Sequence, residues 1–294
     1  MSRAGLLLVD KPVGPTSHDI VGMIRKTAGI RQVGHAGTLD PFASGLLLVL
    51  LGGATRLSEY LLGLDKEYEA TIRLGIETDT HDPEGDVKRE TSAWKDLRRE
   101  TMEEALTAFR GSISQRPPQY SAKKIRGEAA HRRVRRGEEV ELEPVSVTVH
   151  RLELQEVDFP KVRLLVNCSS GTYIRALARD LGRALGVGGH LSALRRTSIG
   201  PHSVSSALPL DALAEPEAIW KELTPPGAVL GHFPIFEVGP EEAARIRHGQ
   251  FLPLPSEVAP AEGPVRVLLK GELVAVATRQ GDQLRPQKVF GAGS

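Results

Sequence analysis

Cysteine is almost absent: the 294-residue chain has one, Cys168. A single thiol excludes an internal disulfide, and no CxxC pair offers a zinc site. The nine histidines include no His-Glu-x-x-His spacing, which removes the commonest zinc-hydrolase pattern. No apolar run approaches the ~18 residues of a membrane span. The apolar part of MSRAGLLLVDKP is too short for a secretory signal, so the expected compartment is the cytoplasm. Net charge is also nearly absent, at +1. An acidic partner must therefore be sought in local clusters rather than in the total. What is present is a globular composition, 40% hydrophobic and 26% charged. The length suits one large domain and a smaller one.

The periodicities give the elements. GLLLVD (5–10) and LLLVLL (46–51) read as buried strands. TSHDIVGMIRKTAG (16–29) reads as a helix capped at Thr16 or Ser17 and ended by Gly29. TRLSEYLL (55–62), TMEEALTAFRG (101–111), TYIRALARDLGRALG (172–186) and EEAARIRHGQ (241–250) also read as helices. In the second of these, Thr101 and Glu104 have capping-box spacing. KEYEATIRLG (66–75), VSVTVHRLELQEV (145–157) and KVRLLVNC (161–168) read as strands, and ETDTHDPEGDV (77–87) as an acidic turn. Strands and helices mix without strict βαβ alternation, so the expected class is α+β. The stretch 209–234, with five prolines, approaches a boundary. Beyond it, 265–290 predicts two or three short strands around a Lys270-Gly271 turn. The expected division is residues 1–231 and a small β-rich unit over 232–294.

Four features carry chemistry. GHAGTLDPFASG (34–45) places Asp40 before Pro41, in a loop with three glycines. A residue before proline is held extended, so Asp40 sits at a loop–strand junction that a ligand backbone can approach. The loop lacks the Gly-Lys-Ser/Thr ending of a nucleotide phosphate loop. An Asp-Pro turn without chemistry is the plainer alternative. RPPQYSAKKIRGEAAHRRVRRG (116–137) sets eight basic residues against one acid, Glu128. Inside a nearly neutral protein this fits an arm that contacts phosphates of RNA or DNA. CSSGTYIRALARDLG (168–182) opens a helix with Tyr173 and Arg175 near its start, and DKEYEA (65–70) opens a strand with Tyr68. Core packing for the tyrosines and a surface charge for Arg175 are the plainer readings.

Together with DKPVGPTSHDIV (10–21), GGATRLSEYLLGLDKEYEATIRLGIETDTHDPEG (52–85) and HLSALRRTSIG (190–200), these blocks resemble the ordered motifs of bacterial TruB-type tRNA pseudouridine synthases. The resemblance covers nearly the whole chain, and GTLDP with GTYIR carries most of its specificity. It implies isomerisation of uridine 55 in the tRNA T-loop to pseudouridine, without cofactor or metal. It implies a mixed, largely antiparallel central sheet flanked by helices, with a basic RNA-gripping insertion at about 116–142. It also implies a C-terminal β-barrel-like PUA domain, a monomer with no obligate protein partner, and tRNA as the partner. By the same resemblance Asp40 is the catalytic aspartate and Arg175 the arginine paired with it. Tyr68 stacks on the target base and accepts its C5 proton. His35 holds the space left by the flipped base, Tyr173 and Leu194 line the pocket, and Arg56, Lys66, Lys123 and Arg132 contact the RNA. His131, Gly189 and His202 depart from the usual tyrosine, alanine and phenylalanine.

The chemistry suits these residue types. Extruding a base from a folded loop costs a few kcal/mol. Stacking it on an aromatic returns ~1–3 kcal/mol. A cation beside a carboxylate in a closed pocket opposes the rise in pKa that burial imposes, and arginine's planar fork also fixes its orientation. The charged aspartate has three routes at the glycosidic bond: addition to C6, attack on C1′, or removal of the 2′ proton. Other functions carried by the same residues are a silent RNA-binding protein, a base-releasing hydrolase, or a relative working at guide-RNA-selected sites.

Overall fold

The computed structural model describes residues 4–121, 124–125, 128–136, 138, 140, 142–254 and 263–291. The apolar run near the N-terminus forms β1 (Gly5–Lys11). Helix α1 (Ser17–Ala28) follows, with Thr16 and Asp19 in a reciprocal capping box and Gly29 in the left-handed conformation at its end. β2 (Val33–Ala36) and β3 (Ser44–Leu51) form a hairpin. The loop read at 34–45 is thus shorter than its glycines suggest, because Val33–Ala36 pairs with Leu48–Leu51. A 3-10 turn at Gly52–Leu57 leads into α2 (Ser58–Leu62), so the helix read at 55–62 is only half α-helical.

β4 (Lys66–Leu74) alternates as expected. The acidic turn holds a small hairpin, β5 (Ile76–Thr78) with β6 (Val87–Glu90). Helix α3 (Arg99–Thr107) begins two residues before the Thr101 cap read from the sequence, and no side chain caps it. Its Arg99 reaches the carbonyl of Leu154, a tertiary contact that moves the start. Gly111, read as the end of this helix, instead opens β7 (Gly111–Gln115) in the left-handed conformation.

The insertion contains β8 (Lys124–Ile125), β9 (Glu128–Ala129) and α4 (Ala130–Arg135). Ala130, Val134, Val140 and Leu142 give it a small apolar cluster of its own. β10 (Val145–Asp158), β11 (Lys161–Cys168), α5 (Ile174–Ala184) and β12 (Gly189–Ile199) complete the body. The short β13 (His202–Ser203) and β14 (Leu208–Pro209) and the helices α6 (Pro216–Lys221) and α7 (Pro226–Val229) lead out of it. The C-terminal part holds β15 (Ile235–Glu237), α8 (Pro240–Arg247), β16 (Leu252–Pro253), β17 (Pro264–Leu269), β18 (Glu272–Gln280) and β19 (Gln283–Val289).

The large sheet runs β14-β1-β3-β12-β4-β11-β10-β7, with β2 and β13 paired onto β3 and β12. Only β1–β14 and β3–β12 are parallel, so the largely antiparallel mixed sheet is as expected. The continuous LLLVLL run is explained by two covered faces. Leu46, Leu48 and Leu50 enter one core; Leu47, Val49 and Leu51 enter another beside α1. A third core packs α3 and α5 on β4, β10 and β11.

The second sheet runs β15-β17-β18-β19-β16. The turn at Lys270-Gly271 has positive φ at both residues (50° and 81°), the two-residue hairpin read from the sequence. Leu268, Leu273 and Val276 of this sheet, with Phe290 just after it, join Leu6, Leu46 and Leu57 in one cluster. Among the described residues, no helix is long and apolar enough to cross a membrane.

Candidate active site

The loop between β2 and β3 is pinned from three sides. Ser17, at the start of α1, accepts from Leu39 N–H at 2.8 Å and donates back to Leu39 O at 3.0 Å. Gly14 N–H donates to Pro41 O at 2.9 Å. From β12, Arg196 donates to Leu46 O at 2.8 Å, Gly37 O at 2.9 Å and Thr38 O at 3.4 Å. Arg196 is fully covered, and its charge is met by carbonyl dipoles and by the Tyr68 hydroxyl. Asp40 is therefore held by its loop rather than swinging in it.

Arg175 projects from the first turn of α5 and meets that carboxylate. Its Nε lies 3.0 Å from Asp40 Oδ2. Its Nη1 donates to Asp82 Oδ2 at 3.0 Å and to Thr80 O at 3.1 Å. Its Nη2 donates to Tyr120 O at 2.9 Å. One buried guanidinium thus stands between two carboxylates. Asp82 is covered, whereas the Asp40 side chain keeps 35% of its surface open. The opening faces a cavity of about 590 Å³, a size that accepts a nucleotide-sized ligand.

The charges follow from this arrangement. Burial pushes the Asp40 carboxyl above the usual aspartate range; Arg175 opposes this and the Asp82 carboxylate adds to it. A carboxylate so placed is a stronger base and nucleophile than free aspartate. Burial also raises the Tyr68 phenol, against the pull of Arg196. It lowers Lys66 to about 8, and the Lys66 ammonium binds Leu62 O at 2.7 Å. Lys11 is lowered to about 8 by the same cause, with its ammonium on Pro12 O and Pro15 O at 2.8 and 2.9 Å.

Two family models match end to end over residues 25–230. Residues 25–174 match the TruB family pseudouridylate synthase N-terminal domain. Residues 175–230 match the tRNA pseudouridylate synthase B C-terminal domain. The chain belongs to the TruB family. A tRNA pseudouridine synthase B from Thermobifida fusca is 45% identical over 301 residues, 99% of both chains. One from Azoarcus is 43% identical, covering 97% of this chain and 94% of that one. Among solved structures, an H/ACA RNP bound to a substrate RNA containing 2′-deoxyuridine is similar, with a TM-score of 0.73 and 28% identity. It is matched over 98% of this chain and 85% of that one. A Cbf5-Nop10-Gar1 complex gives a TM-score of 0.74 at 29% identity, over 98% of this chain and 85% of that chain.

Of the residues named by resemblance to TruB enzymes, Asp40, Arg175, Tyr68, Tyr173, Leu194 and Lys66 line this cavity. His35 lies on β2, outside the lining; burial lowers its pKa, and its Nδ1 is buried without a hydrogen-bond partner among the described residues. Arg56 faces the C-terminal sheet: it bonds the Val289 carbonyl and lies 5.2 Å from the Phe290 ring centre. Lys123 falls outside the described residues, and Arg132 is placed only as part of α4. In the insertion, Arg133 and Arg136 pair with Glu138, and Arg136 also with Glu128. Glu138 lies one residue beyond the basic stretch, so its neutralising effect escapes a count over 116–137.

Three residues of the site were not singled out from the sequence. Asp82 carries the same signal as Asp40, an aspartate before a proline, inside THDPEG. Arg196 shares the alternating face of Leu194 on β12. Lys11 has no signal in local sequence, since its partners are backbone carbonyls.

Proposed function

We propose that the chain isomerises uridine 55 in the T-loop of tRNA to pseudouridine, with Asp40 as the catalytic carboxylate. The observation that carries this is the Asp40–Arg175 pair at 3.0 Å, opening on a nucleotide-sized cavity. Full-length similarity to tRNA pseudouridine synthases B supports the substrate.

In this reading the target uridine leaves its stack and enters the cavity, an extrusion costing a few kcal/mol. Tyr68 offers its ring as a platform; stacking returns ~1–3 kcal/mol. Asp40, ionised and aimed by Arg175, acts at the glycosidic bond by one of its three routes. The freed uracil turns in place and bonds through C5 to C1′, and the C5 proton departs. Tyr68 is the candidate acceptor of that proton, a role open only to its phenolate form, which Arg196 against its hydroxyl favours and burial opposes. Tyr173 and Leu194 confine the base. His35 fills the space the uridine leaves. Lys66 lines the cavity wall, and Lys123 and Arg132 meet RNA phosphates along the insertion; Arg56, held by the C-terminal sheet, is not assigned to the RNA. Residues 1–231 form the catalytic domain and 232–294 a PUA-like RNA-binding domain. The enzyme acts as a cytoplasmic monomer without an obligate protein partner.

The test is an unmodified tRNA transcript tritiated at uridine C5. The chain releases tritium from it, and a transcript with cytidine at the target position releases none. Free uracil in the products would point to a base-releasing hydrolase. No release at all would leave an RNA-binding protein.

A further inference from the structure

We infer that Gln115 is a positioning residue, holding the first turn of α5, and with it Arg175, in register with the root of the basic insertion. The inference rests on the reading of the cavity as the isomerase site. Helix α5 starts without a cap of its own: Tyr173 stands at the cap position with extended backbone and no capping side-chain bond. The first N–H groups of a helix need partners from outside it. Here one partner comes from another strand. Gln115, at the end of β7, accepts from Tyr173 N–H through Oε1 at 2.8 Å.

Gln115 is 1% exposed, and its Nε2 is buried with no hydrogen-bond partner among the described residues. An unpaired buried donor is unfavourable. A methionine there would avoid that cost and fill the same space. What methionine lacks is the acceptor, so the bond to Tyr173 is the reason for an amide at this position.

Two further bonds fasten the same stretch to the same helix. Arg179, one turn beyond Arg175 and also buried, donates to Arg116 O at 2.9 Å. Asp180 orients it, through bonds of 2.7 and 2.9 Å. Arg175 itself donates to Tyr120 O at 2.9 Å. Between these anchors lie Pro117 and Pro118, which fix the backbone φ. Residues 115–120 are thus a stiff strut, clamped to α5 at three points and continuous with the insertion. RNA that grips the insertion acts through the strut on the guanidinium that aims Asp40.

The experiment compares Gln115→Met and Gln115→Glu with the parent chain, by single-turnover tritium release at saturating tRNA, tRNA binding and thermal melting. Misplacement of a reacting group by about 1 Å costs up to ~10²-fold. Gln115→Met is expected to slow release by about 10–100-fold, with tRNA Kd changed by less than about 3-fold. Gln115→Glu keeps the acceptor and restores most of the rate. A folded Gln115→Met protein with the parent rate overturns the inference, as does equal slowing in both variants or a loss confined to Kd. Should Gln115→Met fail to fold, Arg179→Met cuts the adjacent tie. It is expected to lower the rate at unchanged Kd, and an unchanged rate overturns the inference. An inactive parent chain contradicts the isomerase reading itself, which separates the two failures.

Discussion

Asp40 combines two demands that oppose each other. Catalysis needs it ionised, while burial and the nearby Asp82 carboxylate favour its protonated form. The consequence for stability has a definite sign. With a pKa raised above its unfolded value, Asp40 binds more proton in the folded state over the window between the two values. Stability therefore falls as pH rises through that window, and the ionised form is a net burden above it. Asp40→Asn is expected to melt higher than the parent at pH 7, with the difference vanishing below pH ~3.9. Melting curves of both proteins across pH check this; a variant that melts lower at pH 7 contradicts it. Asp82 bears on stability through its ion pair. It is covered and paired with Arg175 at 3.0 Å, and removing one member of a buried pair costs about 3–5 kcal/mol. Urea unfolding of Asp82→Ala should show a loss of that order, and a loss under about 1 kcal/mol would mean the pair is not buried as described. At this scale the sequence was legible where a residue sat in an unusual local setting, as Asp40 does before Pro41. Arg196 was not legible, because its partners are carbonyls brought close only by the fold; Lys11 bonds the carbonyls of its neighbours Pro12 and Pro15, which leave no side-chain signal in the sequence.

Elements were legible where a single face or turn decided them. The capping box of α1, the doubly covered β3 and the Lys270-Gly271 hairpin all follow from local residues. Helix α3 was misjudged in its bounds because Arg99 is held by Leu154 from a strand far along the chain. Arg56, named for RNA by resemblance, is directed to the C-terminal sheet by Val289 and Phe290, which no local pattern announces. The site depends most on the seam between β3 and β12. Gly45 there has φ of 103°, and a Cβ on it would lie 2.2 Å from Arg196 O. Gly45→Ala must part the two strands and shift both Arg196 and the Asp40 loop. It is expected to lose more than about 3 kcal/mol or to be insoluble. A soluble variant with an unchanged urea midpoint would show that the strands are not in such close register.

Across the whole molecule, charge is nearly balanced in sum and uneven in place. Replacing Arg132, Arg133, Arg135 and Arg136 by alanine is expected to weaken tRNA binding and flatten its salt dependence. Full loss of four phosphate contacts would reduce the slope by about 0.7–0.9 each. Arg133 and Arg136 already pair with Glu138 and Glu128, so the measured change should fall short of four contacts. Titrations of binding at several salt concentrations decide it, and an unchanged slope would remove the insertion from the RNA interface. The two sheets also share a core through Leu268, Leu273, Val276 and Phe290. Composition and prolines set the expected boundary near 231, but they give no hint of this shared core, which only the packing reveals.

The central claim is that the Asp40 carboxylate, steadied by Arg175, performs the isomerisation. The most direct measurement is single-turnover tritium release by Asp40→Asn on saturating unmodified tRNA, with binding measured in parallel. The expected result is tRNA affinity within a few-fold of the parent and a rate lower by about 10⁴-fold or more. Release at the parent rate by that variant would contradict the account.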